Sequence, residues 1–398
     1  MYIGDSSDEA TFRANARAWL SHHATARTAT QTMHYDDLGA HVGECRRWQR
    51  TLHDNGWAGI TWPKSFGGRG ASPIEAAIFG EEQSGFAVAT GAFAVAVGMV
   101  GPTLMAHGTP EQQRDLLPAI LRGDHVWCQL FSEPGAGSDL ASLATRAMRD
   151  GDEWVVDGQK VWTSLGQFAD YAILLARTDA DVPKHRGITY FAVDMRTPGI
   201  EVRPLRQMTG TAHFNEVFLT GVRVPHANII GDVGNGWKVA QTTLTSERAF
   251  IGGGSGAWNV DGLIALAAAN GTVGDQPTRQ ALMRAYSRAA TLTYLGYRLR
   301  TALSQQRMPG PEMFIMKLAY ARHWTATMDT AMSVVGADGM LTGRDTSNWG
   351  QYLLSQFAIR IGGGTDEVQA NIIGEHALGL PREPSADRDA AWKDLVRS

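Results

Sequence analysis

The spacing of apolar residues along the chain changes twice, which predicts three regions of different secondary structure. Near the start, Phe12 and Ala16 belong to an apolar series with the period of a helix, and Ser6-x-x-Glu9 resembles a capping box in front of it. Further helical tracts follow, as far as PEQQRDLLPAILRG. We therefore predict a helical domain over residues 1–122.

The middle region has short apolar runs separated by turn residues. In EWVVDGQKVWTS, Asp157–Gly158 stands between two such runs, which predicts a hairpin turn there. GITYFAVDM, IEVRPL and NEVFLTGVRVP predict further strands. We therefore predict an antiparallel β domain over residues 123–232.

The last region is again helical. QPTRQALMRAYSRAATLTYLGYRLRTALSQQ and PEMFIMKLAYARHWTATMDTAMSVVG are long and amphipathic, and DEVQANIIGEHALG predicts a last helix that ends at Gly379. The order predicts an α+β chain with a helical bundle over residues 233–398. The tail after Pro381 has the pattern of a surface extension.

Composition and charge exclude several classes of protein. Hydrophobic residues make up 43% and charged residues 19%, which is typical of a globular protein. The net charge of −4 indicates no basic face for nucleic acid. Cys45 and Cys128 are too few for a disulfide framework, and no Cys/His spacing resembles a metal site. Acidic residues near the start argue against an export signal and against a transit peptide, so we predict a cytoplasmic protein.

One apolar stretch, residues 86–106, is about long enough to span a bilayer. It consists mostly of Ala, Gly and Val and contains Pro102, so it lacks the composition of a membrane helix. A buried helix or helix pair is the interpretation that we favour, and no contact with a membrane is predicted.

FSEPGAGSDL, residues 131–140, is the first candidate site. Gly135 and Gly137 let the backbone approach a ligand, and Ser132 and Ser138 offer hydroxyl groups. Such a loop suits a phosphate-bearing or heteroaromatic cofactor, although an ordinary turn before a strand has the same composition. No P-loop and no G-x-G-x-x-G after a strand is present.

Four segments in order resemble acyl-CoA dehydrogenases. FSEPGAGSDLASLATRA resembles the flavin-loop signature of that family, and GQKVWTSLGQFADY resembles the Trp-containing strand that follows it. GVRVPHANIIGDVGNGW and IRIGGGTDEVQANIIGEHALGLPRE resemble two later family segments. The resemblance covers nearly the whole chain. It implies a helical domain, a β domain and a C-terminal four-helix bundle, with FAD as cofactor and an acyl-CoA as substrate.

The resemblance also implies which residues bind FAD. Phe131 and Ser132 would meet the pyrimidine side of the flavin, and Ser138 would serve the pyrophosphate or the acyl-CoA. Trp162 would shield the flavin face, and Ser164 would bond near it. Without the family match, Trp162 would be interpreted as a core aromatic residue in a hairpin.

Thr365 and Glu367 keep the family pattern at the entry to the last helix, and the resemblance implies that they contact the adenosine half of FAD. A helix N-cap is the structural interpretation of Thr365, and both roles can hold together.

The resemblance places the catalytic base on the bundle helix. Many members carry a Glu just before the C-terminal Gly-Thr, but here the sequence reads Gly362–Gly364 before Thr365. The isovaleryl-CoA dehydrogenase type supplies the base from a Glu-Arg pair instead, and Glu247–Arg248 fits it. Glu247 would abstract the α-proton, and Arg248 would lie near the CoA end of the pocket. A structural ion pair on a helix is the alternative.

The thioester oxygen gains charge as the α-proton leaves, so it needs preorganised donors. The family supplies a flavin ribityl hydroxyl and a backbone N–H at the Gly-Thr entry. That N–H would belong to Gly363, and Gly364 would adjoin the substrate.

Gly252–Gly254 follow the Glu-Arg pair. We hypothesise that these glycines widen the acyl pocket for a branched or ring-bearing group, whereas close helix packing is the alternative.

Three segments depart from the family. Arg307 is not followed by Phe-Gly, and Ser333–Ala337 replaces a Gln-x-x-Gly-Gly segment. Both segments normally hold the cofactor across a subunit interface, so a heteromer with a related chain stands beside a homotetramer or dimer. Phe214–Glu216 stands in place of Arg-x-Ser-Asp-Thr. Related actinobacterial steroid side-chain dehydrogenases resemble this pattern.

The resemblance therefore implies an FAD-dependent acyl-CoA dehydrogenase that passes electrons to an electron-transfer flavoprotein. Two alternatives remain open: a flavin enzyme that uses oxygen, such as an acyl-CoA oxidase or nitroalkane oxidase, and a non-catalytic subunit of a heteromeric dehydrogenase.

Overall fold

The computed structural model describes residues 4–27, 37–252, 260–305, 307, 310–341, 347–384 and 389–395. Within them the helices are α1 (Ser7–His23), α2 (Leu38–Asp54), α3 (Pro73–Ser84), α4 (Gly101–His107), α5 (Pro110–Arg122), α6 (Gly236–Gly252), α7 (Val260–Ala269), α8 (Gln276–Ser304), α9 (Glu312–Val335), α10 (Ser347–Ile361) and α11 (Asp366–Ile372). The strands are β1 (Trp127–Leu130), β2 (Arg146–Asp150), β3 (Glu153–Ser164), β4 (Tyr171–Arg177), β5 (Ile188–Asp194), β6 (Ile200–Leu205) and β7 (Phe214–Pro225).

Helix α1 begins at the capping box that the sequence predicts. The N–H of Ser6 donates to Glu9 Oε2 over 2.7 Å, and the N–H of Glu9 donates to Ser6 Oγ over 3.3 Å. The same reciprocal pair joins Thr109 and Gln112 ahead of α5, with Pro110 in the first turn. These local bonds satisfy N–H groups that the helix itself leaves unpaired.

The strands form one sheet in the order β1-β4-β2-β3-β7-β6, and β5 pairs with β4 outside this order. β1 and β2 run parallel to β4, and the other pairs are antiparallel. β4 and β5 are buried along almost their whole length, which explains their continuous apolar sequences. The predicted succession of helices, sheet and helices is confirmed.

The hairpin turn predicted at Asp157–Gly158 is wrong. Both residues lie inside β3, and the chain turns earlier, at Gly151, between β2 and β3. The pairing of β3 with β7 shifts register between Val156 and Gly158. A Cβ at Gly158 would lie 2.4 Å from Thr145 Oγ1. The glycine therefore marks an irregularity in a strand and a close backbone approach, which an Asp-Gly pair signals as readily as a turn.

Segment 86–106 is broken rather than continuous. A π-helical turn over Ala96–Val100 leads into α4, and Ala96, Val100 and Leu104 are fully buried. Of the helices in the described ranges, none is long and apolar enough to cross a membrane.

The chain forms two compact units, each built from separate segments. One comprises Met1–His34, Ala71–Val88 and Ile251–Arg382, and the other comprises Tyr35–Gly70, Ala89–Phe250 and Glu383–Ser398. The division into domains at residues 122 and 232 stays a prediction.

In the unit that contains the bundle, ion pairs join α1 to α3 and α3 to α8. Glu82 on α3 accepts from Arg17 over 2.7 Å and from Arg13 over 3.0 Å, and the neighbouring Glu81 pairs with Arg300. Helix α1 is thereby linked through α3 to α8.

In the other unit, the tail does not behave as a free extension. The side chain of Trp392 is buried, its indole N–H donates to the carbonyl of Ser142 over 3.3 Å, and the guanidinium of Arg177 lies over its ring. The prediction of a surface extension is therefore wrong for this residue, because one indole supplies enough apolar surface to anchor the chain end.

Candidate active site

A buried ion pair supports the loop that follows β1. Lys160 on β3 is fully buried, and its ammonium donates to the carbonyl of Phe131 over 3.0 Å and to Glu133 Oε1 over 2.8 Å. The carboxylate of Glu133 also accepts from the N–H groups of Ala144 over 2.7 Å and Thr145 over 2.9 Å. One lysine therefore holds both the backbone and a side chain of the loop.

The ion pair keeps Glu133 ionised. Burial by itself would raise the pKa of the Glu133 carboxyl, but the Lys160 ammonium and the backbone donors outweigh it, and the pKa lies below its usual value. Because both partners are buried and bonded, this ion pair holds the backbone at the start of the loop in place.

The tip of the loop faces outward. Gly135, Gly137 and Ser138 are exposed, and a Cβ added at either glycine would meet nothing within 4 Å. The glycines are therefore not needed for packing, and their effect is to leave the backbone N–H groups accessible. Ser132 is half-buried, whereas the ring of Phe131 packs edge-on against Tyr190 in the core and is not exposed to a ligand.

Trp162 has an unusual conformation for a strand residue. Its φ is 61°, in the left-handed region, and its side chain is 61% exposed. The register of β3 against β7 shifts between Lys160 and Thr163, so Trp162 lies at a bulge. Its ring contacts Phe214 edge-on with centroids 6.0 Å apart. A bulky residue in this region is strained, and such strain is concentrated at functional sites.

Unsatisfied polar atoms lie beside Trp162. Among the residues that the structure describes, Thr163 Oγ1 and Asn215 Oδ1 are buried and have no hydrogen-bond partner. The amide nitrogen of Asn215 donates to the carbonyl of Thr163 over 3.0 Å, which fixes the Asn side chain. Ser164 follows and is half-buried. The site thus combines an exposed indole with polar groups that have bonding capacity left.

Helix α6 is anchored one turn before Glu247. The hydroxyl of Thr243 lies 3.0 Å from that of Tyr190 on β5 and 2.9 Å from that of Thr103 on α4. All three side chains are fully buried. Since residues four apart share a helix face, this network holds the face of α6 that carries Glu247.

Gln129 on β1 is a site residue that the sequence did not reveal. Its amide nitrogen lies 3.5 Å from Glu247 Oε2, at the long end of the hydrogen-bond range. Gln129 stands two residues before Phe131, and that position is the signal that could have indicated it. The structure therefore brings the predicted base to the strand from which the loop starts. The side chain of Arg248 and residues 253–254 lie outside the described part of the chain.

In the other unit, the Gly-Thr entry forms a tight turn. Gly363 has a φ of 67° and Gly364 a φ of 91°, a region open to glycine with little strain. Thr365 caps α11, because its hydroxyl accepts from the N–H of Val368 over 3.2 Å, so its N-cap interpretation is confirmed. Glu367 is exposed in the first turn.

Family comparisons cover all three predicted regions. Models for the N-terminal, middle and C-terminal domains of acyl-CoA dehydrogenases match residues 6–124, 128–222 and 234–378 respectively.

Among relatives, acyl-CoA dehydrogenase IpdE1 of Mycobacterium tuberculosis is 37% identical over 388 residues, which cover 94% of this chain and 99% of that protein. Acyl-CoA dehydrogenase FadE34 of the same organism is 40% identical over 339 residues, covering 84% of this chain. This chain spans about half of FadE34, since the match covers 46% of it.

Solved structures agree over nearly the full length. The Tcur3481-Tcur3483 steroid ACAD has a TM-score of 0.83 and 30% identity, and the match covers 96% of this chain and 100% of that one. A chain of the ChsE4-ChsE5 complex from Mycobacterium tuberculosis has a TM-score of 0.80 and 31% identity over 96% and 100% of the two chains. Matching sequence models, relatives and fold lead to one conclusion: the chain belongs to the acyl-CoA dehydrogenase family and is an oxidoreductase of that type.

Proposed function

We propose that this chain catalyses the FAD-dependent α,β-dehydrogenation of an acyl-CoA to its trans-2-enoyl-CoA, with Glu247 as the base. The observation that carries the proposal is the approach of the Glu247 carboxylate to Gln129, on the strand that leads into the loop at residues 131–138. The side chain of Glu247 is half-buried and lies against β1, where a carboxyl group can serve as a base.

The residues around Trp162 fit an isoalloxazine ring. A flat aromatic ligand would cover the exposed indole and would explain its strained backbone. The open backbone of the loop, with Ser132 and Ser138, suits the polar edge of the ring and a pyrophosphate. When bound, FAD supplies the acceptor for the hydride that leaves the β-carbon. We assign Ser164 to the same ring.

The remaining roles follow from the chemistry of the substrate. Glu247 takes the proton from the α-carbon, and the electron pair left there forms the double bond as hydride leaves the β-carbon. The N–H of Gly363 donates to the thioester oxygen, beside Gly364, and lowers the cost of the charge that develops on it. Arg248 serves the CoA end of the pocket.

We assign Thr365 and Glu367 to the adenosine half of FAD. Hydrogen bonds from its own backbone N–H and from Thr365 lower the pKa of the Glu367 carboxyl, which keeps a hydrogen-bond acceptor at this position.

For the substrate, we propose a bulky acyl group that is branched or contains a ring system. One of the similar structures is the Tcur3481-Tcur3483 steroid ACAD, and another is the ChsE4-ChsE5 complex. In this chain, Gly252–Gly254 is the segment that would make room for a bulky acyl group. We further propose that an electron-transfer flavoprotein reoxidises the flavin, and that the enzyme works as a heteromer with a related chain or as a homodimer or homotetramer.

Anaerobic flavin bleaching tests the proposal. The purified chain, with any protein that co-purifies, is mixed with straight-chain, branched and steroid side-chain acyl-CoA thioesters while the flavin absorbance is recorded. We expect bleaching with bulky thioesters. A clear preference for short straight chains would contradict the substrate class, and fast reoxidation in air would favour an oxidase.

A variant tests the base. Glu247→Gln keeps the size of the side chain but cannot take a proton, so we expect at least a roughly hundredfold slower bleaching with FAD still bound. Glu201→Gln removes the same charge from an exposed position on β6 and serves as the control. Unchanged bleaching in Glu247→Gln would overturn the assignment.

A further inference from the structure

Lys317 is a buried lysine that the reaction described above does not use. It lies in the first half of α9 with 3% of its surface exposed, and its ammonium donates to the carbonyl of Gly364 over 2.5 Å. Burial of an ammonium costs several kcal/mol unless partners repay it. Met or Leu would fill the same place in the bundle without that cost, so packing does not explain a lysine here.

The charges around Lys317 come from two other helices. Burial lowers the pKa of Lys317 most, and Asp366 and Glu367 at the start of α11 act against it, whereas Arg360 on α10 adds to it. Asp366 also pairs with Arg360 over 2.8 Å. The two carboxylates favour the ammonium form, and a charged donor bonds a carbonyl more strongly than a neutral one does.

A second side chain holds the adjacent carbonyl. The amide nitrogen of Gln369, which is buried on α11, donates to the carbonyl of Gly363 over 3.0 Å. A Cβ at Gly364 would lie 2.7 Å from that nitrogen, so the turn and the amide are closely packed. Consecutive carbonyls of the glycine turn are therefore bonded to Lys317 and Gln369.

The orientation of the carbonyls determines that of the N–H groups. In a trans peptide the C=O and N–H point in opposite directions. Bonding the carbonyls of Gly363 and Gly364 therefore directs the N–H groups of Gly364 and Thr365, which share those two peptides, away from Gln369 and Lys317. The N–H of Gly363 belongs to the preceding peptide and is held indirectly, because the bonded carbonyls restrain the dihedral angles of a glycine that has little steric restriction of its own.

We infer that Lys317 is a positioning residue, which holds the glycine turn so that the backbone N–H of Gly363 is already aimed when the thioester oxygen gains charge. The inference rests on the proposed function. Lys317 itself contacts neither substrate nor flavin in this role; it acts through the carbonyl of Gly364. A donor that is held in place before the reaction stabilises the transition state more than one that must be ordered during it.

Lys317→Met tests the inference, because it keeps the length of the side chain and removes the ammonium. We expect kcat to fall by about tenfold or more, with KM for the acyl-CoA changed by less than about threefold and FAD content unchanged, since full loss of one such donor costs about 100- to 1,000-fold. Gln369→Met removes the bond to the adjacent carbonyl, and we expect a smaller loss of the same kind.

A spectroscopic readout separates positioning from stability. The infrared band of a carbonyl-labelled enoyl-CoA, bound to the oxidised enzyme, shifts to lower frequency in proportion to the hydrogen bonds on its oxygen. We expect the shift in both variants to be smaller than in the wild type. If Lys317→Met does not fold, Gln369→Met decides by the same measurement.

The outcomes are distinct. A folded Lys317→Met enzyme with wild-type kcat and carbonyl band refutes the positioning role. A wild type that binds the enoyl-CoA with a shifted band but bleaches with no thioester refutes the proposed reaction, and the bands of the variants still decide the positioning role. A wild type that binds no thioester refutes both.

Discussion

Replacement of Lys160 by Met should lower the free energy of unfolding of the sheet-containing unit and weaken the binding of FAD. The change removes the ammonium that bonds Glu133 and the carbonyl of Phe131. The carboxylate of Glu133 then stays in a site where 8% of its side chain is exposed, without its counter-charge. Removal of one partner from a buried pair typically costs about 3–5 kcal/mol.

The surroundings set the expected magnitude within that range. Glu133 keeps two backbone donors, from Ala144 and Thr145, which favours the lower end. The carbonyl of Phe131 loses its ammonium donor, which adds about 1 kcal/mol. We therefore expect a loss of about 4 kcal/mol in the free energy of unfolding at pH 7. Because the same lysine supports the loop, we also expect weaker binding of FAD to the apoprotein.

The pH dependence provides a check on the cause. In the wild type the pKa of Glu133 is lowered, so its contribution to stability is present above the pKa of the unfolded chain and is lost as the pH falls through the folded value. Without Lys160, burial raises that pKa, and the carboxyl can take up a proton. The defect of Lys160→Met should therefore be largest near pH 7–8 and smaller near pH 5.

Urea unfolding, followed by circular dichroism and combined with FAD titration, measures these effects. The matched control is the double variant Lys160→Met/Glu133→Gln, which removes both charges and should recover most of the lost stability. A loss below about 1 kcal/mol in Lys160→Met, or a double variant as unstable as the single one, would refute the reasoning.

Three further predictions concern other parts of the chain. Trp162→Gly removes the strained left-handed φ of 61° and the indole together, so the melting temperature of the apoprotein should hardly change while FAD affinity, measured by titration, falls about tenfold. Gly101→Ala places a Cβ 1.9 Å from Trp62 Cζ2 and should cost at least about 1–3 kcal/mol by thermal unfolding, whereas Gly80→Ala, with nothing within 4 Å, should stabilise by up to about 1 kcal/mol. Burial lowers the pKa of His323 to about 4, so the neutral ring is favoured in the folded state, and stability should fall by about 3 kcal/mol between pH 6.5 and 4. Urea unfolding of the wild type and of His323→Leu at several pH values gives the change of the free energy of unfolding with pH for each protein. Equal pH dependences would contradict this cause.

Local signals in the sequence predicted most elements of the fold. Capping at Ser6 and Thr109 depends on residues three positions apart, and the apolar runs of β4 and β5 are contiguous, so both are readable without the tertiary structure. The prediction of a turn at Asp157–Gly158 was wrong because it used a local signal alone. A local Asp-Gly signal does not tell a turn from a bulge, and the choice depends on the approach of Thr145.

The site was predictable only in part. Glu247 and Trp162 follow from family segments, but the contacts that hold the site join distant parts of the chain. Gln129 meets Glu247 across 118 residues, and Lys317 meets Gly364 across 47. Lys160 stands at even spacing from the buried Trp154 and Val156 of β3, and this spacing was a usable signal, because a lysine on the buried face of a strand is normally paired.

The segmented composition of the bundle unit bears on how the chain matures during synthesis. Helices α1 and α3 are synthesised about two hundred residues before α8, and the unit that contains them extends to residue 382. Until α8 is made, Glu81 has no Arg300 beside it. Fragments that stop at residue 122 or 232 would therefore contain α1 and α3 without the later helices of their unit.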